Sequence, residues 1–219
     1  CAGNYSLTVT DANGCIISNN NIAVTEPNPL SANINSTDNN CFNDCNGTAS
    51  VTALGGTPAY IYTWSDGQST QTANGLCAGN YSVFVTDANN CTTGVLPLTI
   101  NQPIALTFTV VANDILCGGN CNGSIVITAS GGTGTYLYSI DGGISYQLSN
   151  TFNNLCQGSY NVMVQDANNC QSVVQNVNIN EPTPLYATTS SFNADCAVNN
   201  GAVSVFPFGG TPPYTFNWF

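Results

Sequence analysis

The stretch Leu76-Cys77-Ala78-Gly79-Asn80-Tyr81-Ser82-Val83-Phe84-Val85-Thr86-Asp87-Ala88-Asn89-Asn90-Cys91 decides the fold. Tyr81, Val83 and Val85 are separated by single residues, the period of two that turns one face of a β-strand toward a core. A glycine two residues before the tyrosine that opens this strand is the pattern of a tyrosine corner between the fifth and sixth strands of a β-sandwich. Asp87-Ala88-Asn89-Asn90 suits a tight turn, with aspartate at the first position and asparagine tolerating positive φ. The whole stretch occurs three times: 77–91 is echoed by Cys1 to Cys15 and by Cys156 to Cys170, at spacings of 76 and 79 residues.

Such self-similarity marks a repeat architecture. A second block, Cys41-Phe42-Asn43-Asp44-Cys45-Asn46-Gly47 followed by an apolar alternation and Gly55-Gly56-Thr57-Pro58, recurs from Cys117 to Gly134 and again from Cys196 to Pro212, where Asn200 takes the place of the second cysteine. Ala49, Val51 and Ala53 alternate with polar residues, as do Ile125, Ile127 and Ala129, then Val203 and Val205. Leu98 with Ile100 and Val177 with Ile179 extend the pattern, and no helical period of useful length appears. The three extra residues of the longer repeat fall near 142–150, in a loop. About seven short strands per repeat predict an all-β chain of tandem immunoglobulin-like β-sandwich domains, disulfide-stapled. The proline-bearing joints Glu26-Pro27-Asn28-Pro29, Asn101-Gln102-Pro103 and Glu181-Pro182-Thr183-Pro184 hold extended backbone and set the expected boundaries. They give two complete repeats, 28–103 and 104–182, between the C-terminal part of one repeat (1–27) and the N-terminal part of another (183–219).

Among 219 residues there is no Lys, Arg or His, while eleven Asp and Glu leave a net charge of -11. Nucleic acid is excluded as a partner because nothing can displace counterions from phosphate, and anionic membrane surfaces for the same reason. No imidazole exists for a Ser-His or Cys-His pair or a metal site, and no lysine for a Schiff base or an isopeptide crosslink. The expectation is therefore that the chain is not an enzyme and needs no cofactor. Trypsin-like proteases find no cleavage site in it. No apolar run of eighteen residues spans a membrane, and no signal peptide is present in this stretch. Eleven regularly spaced cysteines fit a disulfide framework, which implies an oxidising, extracellular or cell-surface location.

Cys45 precedes the second strand and Cys77 lies at the corner before the sixth, so both fall at one end of the sandwich. The expected pairs are Cys45–Cys77 and Cys121–Cys156. Cys41 is then left for Cys91 and Cys117 for Cys170, with a local Cys41–Cys45 loop as the alternative. Loss of the second cysteine in the last repeat predicts that its counterpart of Cys77 is not a cysteine.

Cys-x-x-x-Cys-Asn-Gly, then Gly-Gly-Thr-Pro-x-Tyr, Leu-Cys-Ala-Gly-Asn-Tyr and Asp-Ala-Asn-x-Cys together resemble the SprB-type repeat of Bacteroidota surface proteins, and the resemblance runs along essentially the whole chain. It implies an immunoglobulin-like repeat of very large adhesins exported by the type IX secretion system, some of which move along the cell in gliding motility. It supplies no catalytic residue and no ligand.

Four features could carry chemistry. Asp11, Asp87 and Asp166 recur at one place beside a repeat junction, where, with Glu26, they are candidate calcium ligands; calcium wants six to eight oxygens, and each junction offers about two carboxylates, so turn capping is the simpler account. Tyr60, Tyr62 and Trp64 share a strand face, as do Tyr136 with Tyr138, and Tyr214, Phe216 and Trp218; such a row stacks on sugar rings if exposed and packs a core if buried. Cys-x-x-x-Cys lacks the further ligands that zinc requires. Asn46, Asn80 and Asn122 head Asn-x-Ser/Thr triplets, common by chance in so Asn-, Ser- and Thr-rich a chain. The reading that follows is a stalk of a large extracellular adhesin whose partners are its neighbouring repeats. The rival is a filament or matrix fibre whose repeats also bind sideways to other copies of the chain, followed by a module binding surface polysaccharide.

Overall fold

The computed structural model describes residues 2–196 and 198–219; Cys1 and Ala197 lie outside the described residues. It is all-β, with sixteen strands and no helix among those residues. Two compact units divide it, Cys1–Gln102 and Pro103–Phe219.

In the first unit, β1 (Gly3–Thr10) and β2 (Ile16–Val24) form an antiparallel pair. The complete repeat after it has two three-stranded antiparallel sheets: β3 (Ser31–Thr37), β4 (Gly47–Leu54) and β6 (Thr72–Leu76) in the order β3-β4-β6, and β5 (Ile61–Trp64), β7 (Gly79–Thr86) and β8 (Leu96–Ile100) in the order β5-β7-β8. The second unit repeats the scheme. Its β9 (Thr107–Asn113), β10 (Gly123–Ser130) and β12 (Thr151–Leu155) make one sheet, and β11 (Leu137–Ser139), β13 (Gly158–Gln165) and β14 (Gln175–Ile179) make the other. Strands β15 (Tyr186–Phe192) and β16 (Ala202–Phe208) then pair alone.

Each complete repeat thus has six strands where the alternation suggested about seven, in an arrangement consistent with an immunoglobulin-like sandwich. The difference lies between β5 and β6. Residues 65–71 are consumed by a tight reversal, in which the Trp64 backbone N–H donates to the Gln68 carbonyl at 3.1 Å, and no length is left for a strand between the sheets. In the second repeat the longer connection folds around Asp141, whose carboxylate accepts from the Ser139 and Ser145 hydroxyls and the Ile144 and Ser145 backbone N–H groups. The Ser139 hydroxyl is the largest influence holding this carboxyl well below the usual carboxylate range, followed by that of Ser145.

The alternating residues face each other across the sheets. Ala49, Val51, Ala73 and Leu76 of one sheet close on Trp64, Val83, Val85 and Ile100 of the other. Ile125, Ile127, Val162, Val164 and Ile179 do the same in the next repeat, with Ile115 at its edge. In β1, Tyr5, Leu7 and Val9 hold the positions of Tyr81, Val83 and Val85 yet stand exposed, because no second sheet covers them among the described residues.

The glycine of Cys-Asn-Gly has a packing cause. A Cβ on Gly47 would lie 2.7 Å from Ile100 Cγ2 and 2.8 Å from the Leu76 carbonyl oxygen, and one on Gly123 would lie 2.7 Å from Ile179 Cγ2. Only glycine lets β4 and β10 pass so close to their neighbours. Counting back from this glycine also corrects the last repeat. The Asn46 side chain accepts from the Asn40 backbone N–H, the Asn122 side chain from that of Leu116 and the Asn200 side chain from that of Asp195. Asn200 is therefore the counterpart of Asn46 and does not stand in for the second cysteine; the loop is one residue shorter, and Asn199 falls where that cysteine would be.

Candidate functional site

Each complete repeat presents two worked poles, one where the chain enters and one where it leaves. At the exit pole, Cys45 and Cys77 are disulfide-bonded across a separation of 32 residues, and Cys121 and Cys156 across 35. The bond ties the loop before the central strand to the corner before β7 or β13. The Tyr81 hydroxyl donates to the Cys77 carbonyl at 3.1 Å and the Tyr160 hydroxyl to the Cys156 carbonyl at 2.9 Å, so disulfide and tyrosine corner brace one turn. Sequence reasoning missed a second brace here. Asp38 accepts from the Asn101 backbone N–H at 2.8 Å and from its side-chain amide, and Asp114 does the same for Asn180. These carboxylates clamp the departing chain to the end of the first strand, and their recurrence 76 residues apart was the available signal.

Asn39 lies buried at this pole. Its Oδ1 accepts from the backbone N–H groups of Asn46 and Gly47, at 2.8 and 2.7 Å, while its Nδ2 finds no partner. The next repeat has Ile115 there, equally buried.

The entering pole is built on Gly-Gly-Thr. Gly55 and Gly56 take φ of 71° and 62°, as do their counterparts 131–132 and 209–210 within a few degrees. The left-handed pair turns the Gly56 N–H onto the Asn28 carbonyl at 2.7 Å, pinning the incoming chain. Beside it, Asp87 is buried, with Oδ1 accepting from the Asn89 and Cys91 N–H groups at 2.9 and 2.8 Å and Oδ2 from the Thr57 N–H at 2.8 Å. Asp166 repeats all three bonds with Asn168, Cys170 and Thr133, and Asp11 caps its own turn through Asn13 and Cys15. These aspartates spend their oxygens on backbone donors. Among the described residues no three His, Cys, Asp or Glu side chains gather as metal ligands, and Glu26 lines the cleft beside Asp87 without adding a bond to it.

The Thr57 backbone N–H, first among its donors, holds the Asp87 carboxyl below its ordinary pKa. A depressed carboxyl contributes stability that is complete above its unfolded pKa, about 3.9, and is lost as pH falls through the lower folded value. We expect the thermal midpoint of the repeat to drop on acidification below about pH 4. Asp87→Asn should be less stable at pH 7 and lose less on acidification, read from melts between pH 7 and pH 2. Equal acid sensitivity in the two proteins would remove Asp87 from this role.

The aromatic row divides. Trp64 is 3% exposed and donates its indole N–H to the Thr70 carbonyl at 2.8 Å, while Tyr60 and Tyr62 pack on the core. Tyr136 and Tyr138 pack likewise. Tyr60, Tyr136 and Tyr214 each donate their hydroxyl to the carbonyl of the first glycine of the Gly-Gly pair, five residues earlier. Trp218 is 63% exposed, in a repeat whose described strands are β15 and β16 alone. In the complete repeats the row is core.

The remaining cysteines correct the expected framework. Cys91 and Cys117 are free, exposed thiols, so the pairs Cys41–Cys91 and Cys117–Cys170 do not form, while Cys41 and Cys170 are each disulfide-bonded. Nor is Cys41 closed on Cys45, which is bonded to Cys77. Within one repeat the two cysteines lie at opposite poles. The Cys41 loop is held to the departing chain, with the Asn43 N–H on Gln102 Oε1 at 2.8 Å, whereas Cys91 lines a cleft with residues 26–30 of the incoming chain. The eight-residue strand β4 between these ends spans about 26 Å, and a disulfide needs Cα atoms within about 7 Å.

A family model described as the SprB repeat matches three stretches of the sequence, residues 33–69, 109–151 and 188–218, together just over half of it. The chain belongs to the SprB repeat family. Each SprB match begins in the first strand of a repeat and runs past the Gly-Gly-Thr turn, so it takes in the loop that opens with Cys41, Cys117 or Cys196, the central strand and the aromatic row. The SprB repeat is a structural repeat, and the poles it encodes here are devices for joining strands and linkers. No curated protein matches the chain.

Proposed function

We propose that these repeats form a stalk of an extracellular, cell-surface adhesin: non-catalytic spacers that carry a distal binding element away from the cell and resist unfolding under pull. The observation that carries this reading is the pair of equivalent disulfides, Cys45–Cys77 and Cys121–Cys156, one in each complete repeat. Disulfides persist in oxidising compartments, and small domains with modest cores use them to stay folded there. Burial of Trp64 takes the aromatic row of that repeat out of use as a sugar-binding platform. Attachment, or gliding as its specialised form, then belongs to other parts of the molecule, and the repeats supply reach.

Single-molecule pulling tests the mechanical part. Without reductant each complete repeat should release its length short of the segment that its staple encloses. With reductant the increment should grow by about 110 Å, the reach of the 32-residue separation at about 3.5 Å per residue. Identical increments in both conditions would contradict the reading.

A further inference from the structure

Within the second unit, the joint between the complete repeat and the strands that follow it leaves no residue unheld. Relative motion of linked domains is the ordinary expectation, and it needs linker residues whose φ and ψ can change. From Asn180 to Pro184 this joint reads Asn-Glu-Pro-Thr-Pro. Each proline fixes its own φ and confines the residue before it to extended backbone, so Glu181, Pro182, Thr183 and Pro184 are all restricted by sequence alone. We infer that the exit pole of the repeat 104–182 is a docking surface for the repeat that follows it in the same chain, and that the joint is a rigid coupling through which β9–β14 and β15–β16 turn as one body.

Two grips close on the joint. From the exit pole, Asp114 Oδ1 accepts from the Asn180 backbone N–H at 2.8 Å, and the Ile115 N–H donates to the Asn180 carbonyl at 2.9 Å. The Gly119 N–H donates to Glu181 Oε2 at 3.2 Å. Gly118 has no room for a side chain, because a Cβ there would stand 2.7 Å from the Pro182 carbonyl oxygen and 2.8 Å from the Pro184 nitrogen. From the following repeat, the Gly210 N–H donates to the Thr183 carbonyl at 2.7 Å, and Gly209 runs so near the Pro184 carbonyl oxygen that a side chain cannot fit. Every residue of the joint therefore touches one pole or the other, and Pro184 touches both.

The poles also meet each other. Thr211, from the Gly-Gly-Thr turn of the following repeat, lines one cleft with Asp114, Ile115 and Leu116. Firm elements stand behind both grips. The loop 114–119 leads toward β10, whose Ile125 and Ile127 are fully buried, and Gly209-Gly210 closes β16. Both kinds of grip recur in the first unit, each on a different joint: the Asn43 N–H holds Gln102 Oε1, and the Gly56 N–H holds the Asn28 carbonyl. They belong to the repeat pattern and not to one loop. The coupling is a property of the fold and holds whether or not the repeats serve as a stalk.

Amide residual dipolar couplings of the whole chain, weakly aligned in a dilute liquid-crystalline medium, test the coupling without any substitution. The expected result is that couplings from β9, β10 and β13 and those from β15 and β16 fit one alignment tensor with one degree of order. A smaller, separate tensor for β15 and β16 would overturn the inference. Gly118→Val places branched carbons against Pro182 and Pro184 and should bring about that separation, while the slow hydrogen exchange of Ile125 and Ile127 amides stays unchanged and shows that the repeat itself is folded. A shared tensor that survives in the folded variant would equally contradict the role given to the exit pole. Should the variant lose its β10 protection, the couplings of the unsubstituted chain still decide.

Discussion

Replacing Cys45 and Cys77 together by serine should lower the stability of the repeat between residues 28 and 103 by about 3–4 kcal/mol, the loop-closure entropy that a bridge over 32 residues removes from the unfolded chain. A sandwich of under eighty residues buries a modest core, and such a loss is a large part of its total stability. The chain carries its own reporter. Its two tryptophans are Trp64, buried in this repeat, and Trp218, exposed, so a Trp218→Phe background leaves a single indole that follows the repeat alone. Urea titration of that fluorescence should show the midpoint falling in the double-serine protein. A midpoint unchanged from the oxidised parent would mean that the disulfide adds nothing to the fold.

Trp64→Ala is the second large effect, expected to cost about 3–5 kcal/mol because it empties the centre of a closed core and orphans the Thr70 carbonyl. Hydrogen exchange reads it locally: amides of Val83 and Val85 in β7 should exchange faster by about two to three and a half powers of ten. Trp218→Ala, at an exposed position, should change stability by less than about 0.5 kcal/mol. Equal and small effects at both positions would return the aromatic row to the surface and with it the sugar-binding alternative.

What could be read from the sequence was whatever repeats with a period of two. Val83 and Val85, Ile125 and Ile127, and Ile100 and Ile179 announce buried strand faces because a sheet with one packed side sorts its residues by alternation. The three appearances of Asp-Ala-Asn, each with the aspartate four residues ahead of a cysteine, announced turns. Partners far apart in sequence were harder to see. The bond from the Asp87 carboxylate to the Thr57 N–H and the clamps of Asp38 on Asn101 and of Asp114 on Asn180 link residues 30 to 66 positions apart, and no local pattern encodes them. Assigning Cys41 to Cys91 failed for the same reason: adjacency of two leftover cysteines on paper takes no account of which pole each occupies. Asn200 misled because its loop is a residue shorter, and only the shared bond made by Asn46 and Asn122 reveals the true alignment. The missing seventh strand was a matter of length, since 65–71 reads equally well as a short strand or as a reversal.

The stalk proposed for these SprB repeats would bear load along the chain and need no sideways contact between copies. Electron microscopy of the native protein tests it most directly. Single strings of successive domains projecting from the surface are the predicted result; strands packed laterally against one another would contradict it and make the faces of the repeats the functional interface.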